Sequence, residues 1–192
     1  MKKNYLYKSV AHLDMITVKN GLIGKLNTFA VIAIIVGNAL AMLLNYVFRM
    51  RGTPGGMYFV YGLCGAALCV LYIFLHELTH AVAIMLVKCT VPEIRFGKLV
   101  ASCGAPMTAF SKAQYFFVAS FPFVLYCAVL IPLCVLLPAI YFPIPFMPLC
   151  YNVFGSLGDM YMIRRMMMTP RRSVVIDKGT EVAAYMPAST EN

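Results

Sequence analysis

The sequence predicts an all-α integral membrane protein with about four transmembrane helices and a short hairpin or re-entrant loop between the second and third. Three observations carry that prediction. Hydrophobic residues make up 61 % of the 192 and charged residues only 12 %, with a mean hydropathy of +0.80, far from the balance of a soluble domain. Long uncharged runs alternate with short charged segments, so polar residues punctuate the chain instead of lining one face of its helices. The 16 Lys and Arg, against 7 Asp and Glu, gather in those short segments, where cationic side chains orient membrane proteins. That placement accounts for the net charge of +9 without nucleic acid as a partner, and the lipid bilayer is the expected surrounding.

Lys2, Lys3, Lys8 and Lys19 precede any long apolar run, and the first such run lacks a small-residue cleavage site, so the chain is expected to stay anchored from its first span. That span covers 26–48, between Lys25 and Arg49. Arg49, Arg51 and the Thr53-Pro54-Gly55-Gly56 turn end it, and a second span covers 57–87. Helical throughout, the second would be about 46 Å long against a hydrocarbon core of about 30 Å, so it must tilt or protrude. From Lys88 to Lys112 charges and turn formers return, with short alternations at Glu93-Ile94-Arg95-Phe96 and Lys98-Leu99-Val100-Ala101 that suggest the hairpin or re-entrant loop.

No residue from Ala113 to Gly158 is charged. Pro138, Pro143, Pro145 and Pro148 interrupt this stretch, giving a third span over 113–137, kinked at Pro122 and Pro132, and a fourth over 148–163. Residues 164–192 form a cytoplasmic tail whose 173–185 stretch reads as a small strand or a disordered end. The whole is expected to be one membrane-embedded domain, 1–192. The seven cysteines are odd in number and sit mostly within apolar runs, which gives neither a disulfide framework nor a cysteine metal site.

Cationic residues number five before the first span (through Lys25), two in the first connection (Arg49, Arg51), four from Lys88 to Lys112, none in the Pro-rich connection and five in the tail. Both termini and the 88–112 loop are therefore expected on the cytoplasmic side of a multi-pass protein of the plasma (inner) membrane.

Within the second span lies His76-Glu77-Leu78-Thr79-His80. Four residues apart on a helix, the two imidazoles share a face and can bind one Zn²⁺, with Glu77 beside them to take a proton from water activated by the metal. Ionisable groups at membrane depth are costly unless they face a cavity, a partner or a metal, so three of them in five residues signal a function. A catalytic zinc takes a third protein ligand. His12, Asp14, Glu93, Asp177, Glu181 and Glu191 lie in polar segments, and only Asp159 is an acid inside an apolar span. Asp159 is the expected third ligand. Asn152, Gly155 and Asp159 fall at i, i+3 and i+7, on one face of a continuous helix.

These residues carry a resemblance. With His76-Glu77-Leu78-Thr79-His80 in one membrane helix and Asn152-Val153-Phe154-Gly155-Ser156-Leu157-Gly158-Asp159 in a later one, the chain resembles the zincin peptidase family of small membrane proteins. That family is similar in plan to the site-2 protease group of intramembrane metalloproteases. The resemblance covers about Met57 to Asp159. It implies zinc ligands His76, His80 and Asp159, a catalytic base Glu77, and Asn152 as a substrate-binding residue. Where the site-2 pattern has a Pro three residues after the Asn and a Gly directly after the Asp, this chain has Gly155 and Met160, and its Asn-to-Asp spacing is one residue shorter.

The expected activity is zinc-dependent hydrolysis of peptide bonds in a membrane-associated protein or peptide. The alternative is a non-catalytic metal-binding membrane protein acting as regulator, sensor or transporter, for which Glu77 has no evident use. Substrate identity and oligomeric state are not encoded in any motif.

Overall fold

The computed structural model describes residues 7–14, 22–49, 55–96, 101–179 and 181–187. Strand β1 (Tyr7–Asp14) is followed by α1 (Leu22–Arg49) and α2 (Gly55–Lys88). Three short strands come next, β2 (Glu93–Phe96), β3 (Ala101–Gly104) and β4 (Ala109–Ser111). Then come α3 (Lys112–Leu136), a 3₁₀ turn (Ala139–Tyr141), α4 (Pro143–Gly155) and α5 (Leu157–Met167), before β5 (Val174–Asp177) and β6 (Glu181–Pro187) close the chain.

Among the described residues, three helices are long and apolar enough to cross a membrane: α1 over Val31–Arg49, α2 over its whole length and α3 over its whole length. They coincide with the first three expected spans. The expected fourth, 148–163, is instead divided between α4 and α5, with Ser156 capping α4. Prolines open α4, where a missing N–H costs nothing, while Gly155 and Gly158 flank the break and weaken helix continuation. Asn152, Gly155 and Asp159 therefore do not share one uninterrupted helix.

The fold is mostly helical but not all-α. Strands β1, β6, β5 and β4 form a four-stranded antiparallel sheet in that order, and β2 pairs antiparallel with β3 from Glu93 opposite Gly104 to Phe96 opposite Ala101. The 173–185 stretch thus supplies two strands. β1 pairs with β6 from Tyr7 opposite Pro187 to Asp14 opposite Glu181.

By contacts the chain forms two compact units. The first holds the sheet, the β2–β3 pair, α2 from Glu77, α3 to Phe121 and the chain from Asp159. Its core follows the periods expected of its elements: Ala81 and Ile84 on α2, Tyr115, Val118 and Ala119 on α3, Met162 and Met166 on α5. Against them the sheet presents one cross-strand row, Phe110 on β4, Val175 on β5 and Ala184 on β6, all in register and fully buried. Lys112 closes the packing from the start of α3, donating from Nζ to the carbonyls of Met167, at 2.9 Å, and Thr169 at the end of α5. The extra length of α2 is thus used: its last residues belong to a packed core.

The second unit comprises 25–76 and 122–158. Its outer faces are apolar and exposed, as at Phe29, Ile35, Leu43, Phe59 and Leu63, the distribution of a surface meant for hydrocarbon. One buried polar pair ties its helices together. Asn45 Nδ2 donates to the Tyr58 hydroxyl and to the Ala139 carbonyl, both at 2.9 Å, and Tyr58 donates to the Met42 carbonyl at 3.2 Å. At Gly65 a Cβ would lie 2.5 Å from the Pro143 carbonyl oxygen, so the absence of a side chain lets α2 and the start of α4 touch.

Candidate metal centre

α2 runs without a break through His76, Glu77 and His80, so the helix itself fixes the two imidazoles one turn apart on a common face. His80 is 8 % exposed, and its Nδ1 lies 3.0 Å from the Val118 carbonyl oxygen on α3. The sequence explains why that oxygen is available. In a helix the Val118 carbonyl accepts from the N–H of the residue four further on, which is Pro122 and has none. The carbonyl instead receives the Nδ1–H of His80, which leaves the Nε2 lone pair to face the cavity.

Asp159 lies in the first turn of α5, where the helix dipole favours a carboxylate. Its Oδ2 is 3.7 Å from His80 Nε2. Ligand atoms of His76, His80 and Asp159 all fall within 4.8 Å of one another. Around a tetrahedral zinc with bonds of about 2.0–2.1 Å, ligand atoms stand about 3.3 Å apart, so small side-chain adjustments bring these donors to that spacing. Two neutral imidazoles and a carboxylate are also the donor types of catalytic zinc. The residues fit the metal.

Glu77 points into the first unit, where its carboxylate accepts from the Cys103 backbone N–H on β3. With His80, Ser102, Tyr115, Asp159 and Asp177 it lines a cavity of about 80 Å³. Asp177 is the residue that sequence reading left in the tail. It reaches the site because β5 pairs between β4 and β6 and because the turn after it is unusually tight. Its Oδ1 accepts from Gly179 N–H at 2.7 Å, Gly179 has φ +84°, and a Cβ on Gly104 would stand 2.6 Å from the Lys178 carbonyl carbon. Burial pushes the Asp177 carboxyl up to about 6, and Asp159 adds to the rise, while the Gly179 N–H and His80 oppose it. Burial, with the charges of Glu77 and Asp177, pushes the Cys103 thiol up to about 12, so this cavity cysteine stays an inert thiol.

Asn152 is fully buried in the second unit. Its Oδ1 is 2.6 Å from the Tyr72 hydroxyl, and its Nδ2 is 3.2 Å from both the Phe123 carbonyl and Cys127 Sγ. Tyr72 was not singled out in the sequence; one turn before His76, its hydroxyl is 2.8 Å from His76 Nδ1. Of the other acids, Glu93 pairs with Arg95 at 2.6 Å and Glu181 with Lys178 at 2.8 Å. The side chains of His12 and Asp14, and all of Glu191, lie outside the described residues.

The family model described as "Putative zincin peptidase" matches residues 69–174, more than half of the chain. The chain belongs to that family. The matched stretch of this zincin-family protein contains Tyr72, His76, Glu77, His80, Asn152 and Asp159, and it ends at the first residue of β5. No curated relative and no solved structure matches the chain.

Proposed function

We propose that this zincin-family protein is a membrane-embedded zinc metalloendopeptidase of the HExxH type, hydrolysing peptide bonds of a membrane-associated protein, with His76, His80 and Asp159 as the zinc ligands. The observation that carries the reading is the close His-His-Asp donor set together with a glutamate, held by a backbone N–H, that lines one cavity with His80 and Asp159. Zinc, when bound there, supplies Lewis acidity toward water and the scissile carbonyl. Glu77 accepts the proton of the attacking water on its free carboxylate oxygen as the new C–O bond forms. It then gives that proton to the amide nitrogen as the C–N bond breaks. A regulator, sensor or transporter needs no such base.

A membrane helix hides its carbonyls in its own hydrogen bonds, so a substrate must be extended before it can be cut. β3 borders the cavity through Ser102 and Cys103, and an extended substrate segment laid along the β2–β3 pair would have its scissile carbonyl exposed beside Glu77. This is the substrate mode we favour, in a site related in plan to that of the site-2 proteases.

Orientation follows from charge and from the sheet. β1 precedes α1, β4 lies between α2 and α3, β5 and β6 follow α5, and all four pair with one another. Segments joined in one sheet share a side of the bilayer, which supports an even number of crossings, with the chain returning after α3 by way of 137–167. Lys and Arg concentrate in these same segments, which favours the cytoplasmic face of the plasma membrane.

The test is zinc content and hydrolysis of a membrane-tethered reporter by protein purified in mild detergent. One zinc per chain is expected, lost in His80→Ala and kept in Glu77→Gln, which loses hydrolysis by about 10²–10⁴-fold. Wild-type cleavage by Glu77→Gln would remove the general base from the mechanism.

A further inference from the structure

A hydrogen count around Tyr72 reveals a second function-bearing element outside the cavity. Asn152 Nδ2 faces two acceptors, the Phe123 carbonyl and Cys127 Sγ, so both its N–H groups are engaged there and its Oδ1 can only accept. Tyr72 has one proton and gives it to that Oδ1 at 2.6 Å. Its oxygen, 2.8 Å from His76 Nδ1, is then an acceptor, and His76 must carry its proton on Nδ1. The Nε2 of His76 therefore holds the lone pair a metal requires.

We propose that Asn152 and Tyr72 form a positioning relay for His76, locking its tautomer and ring plane for metal binding, with Asn152 acting through Tyr72 instead of touching substrate. The proposal rests on the metallopeptidase reading. Direct substrate binding by Asn152 fits the geometry less well, since the side chain is fully buried and both its N–H groups are engaged. Each member of the relay is held independently of the metal. Tyr72 is 4 % exposed, with its ring set edge-on to Tyr126 at 4.9 Å and Tyr151 at 5.6 Å. That packing survives in Tyr72→Phe, which deletes only the hydroxyl. The relay is the counterpart of the Val118 carbonyl at His80: one imidazole is oriented by a backbone acceptor, the other by a side-chain pair.

Cobalt(II) reports the site without any substrate, through its visible absorption and through competition with a chelator. Tyr72→Phe is expected to bind cobalt and zinc about 10–100-fold more weakly than wild type, with the cobalt band altered. Asn152→Leu should weaken binding similarly, and the double variant should be no weaker than Tyr72→Phe, because Asn152 has nothing to act on once the hydroxyl is gone. Wild-type metal affinity in Tyr72→Phe overturns the relay while leaving the metal site intact. Additive losses in the double variant overturn the order of action, and if Asn152→Leu does not fold, Tyr72→Phe alone decides. A wild-type protein that takes up no metal refutes the metallopeptidase reading itself, a result distinguishable from either.

Discussion

Asp177→Asn in metal-free protein is the sharpest test of the cavity as described. The carboxyl is crowded by protein yet reached through the cavity, and its pKa rises from 3.8 in the unfolded chain to about 6 when folded. The folded state therefore binds the proton more tightly, so stability conferred by protonation is present below about pH 4 and lost as pH rises toward about 6. Taken whole, the rise corresponds to about 3 kcal/mol. Asp177 is only half-buried by accessible surface, so solvent screening leaves about 1–2 kcal/mol of this as the penalty at pH 7. Asn keeps an oxygen for the Gly179 N–H and carries no charge. The variant should therefore unfold later than wild type at pH 7 and match it at pH 4. Thermal unfolding in detergent, followed across pH 3.5–8 after chelation, measures the difference directly. The difference reports the Asp177 carboxyl together with its repulsion by Asp159, which the variant removes. Parallel pH profiles for the two proteins would mean that Asp177 is not in the dehydrated position assigned to it.

Three other perturbations address separate links. Asp159→Ala should reduce zinc below one per chain, because Asp159, 3.7 Å from His80 Nε2, is the third donor of the proposed site; undiminished zinc would remove it from the ligand set. Pro122→Ala restores an N–H that competes for the Val118 carbonyl, so metal-free stability should rise, by up to about 3 kcal/mol, while metal affinity falls about tenfold; affinity and stability rising together would refute the role given to that carbonyl. Engineered cysteines near residues 5, 100 and 180 should all resist a membrane-impermeant label on intact cells, and labelling of residue 100 from outside would overturn the cytoplasmic orientation.

The His76, Glu77 and His80 arrangement was legible in the sequence because a helix repeats every 3.6 residues, so spacing alone puts both imidazoles on one face. The three long helices were equally legible, since charged residues, or for the third the prolines from Pro138, bound each apolar run. Asp159 was singled out by elimination, as the one acid besides Glu77 in an apolar stretch, and the structure places it near both imidazoles. What only the tertiary structure decided depends on contacts between distant residues. β1 has no partner nearby in sequence and becomes a strand by pairing with β6 at the other end of the chain, a non-local choice that no local period encodes. The same sheet carries Asp177 from a polar tail into the cavity. Tyr72 reads as one more aromatic of a membrane helix until its hydroxyl is seen between His76 and Asn152. Pro122 reads as a kink until the carbonyl it leaves without a helix partner is seen to hold His80. The division has one physical cause: local geometry puts ligands on a helix, whereas the hydrogen bonds and charges that tune them come from segments brought together only by folding.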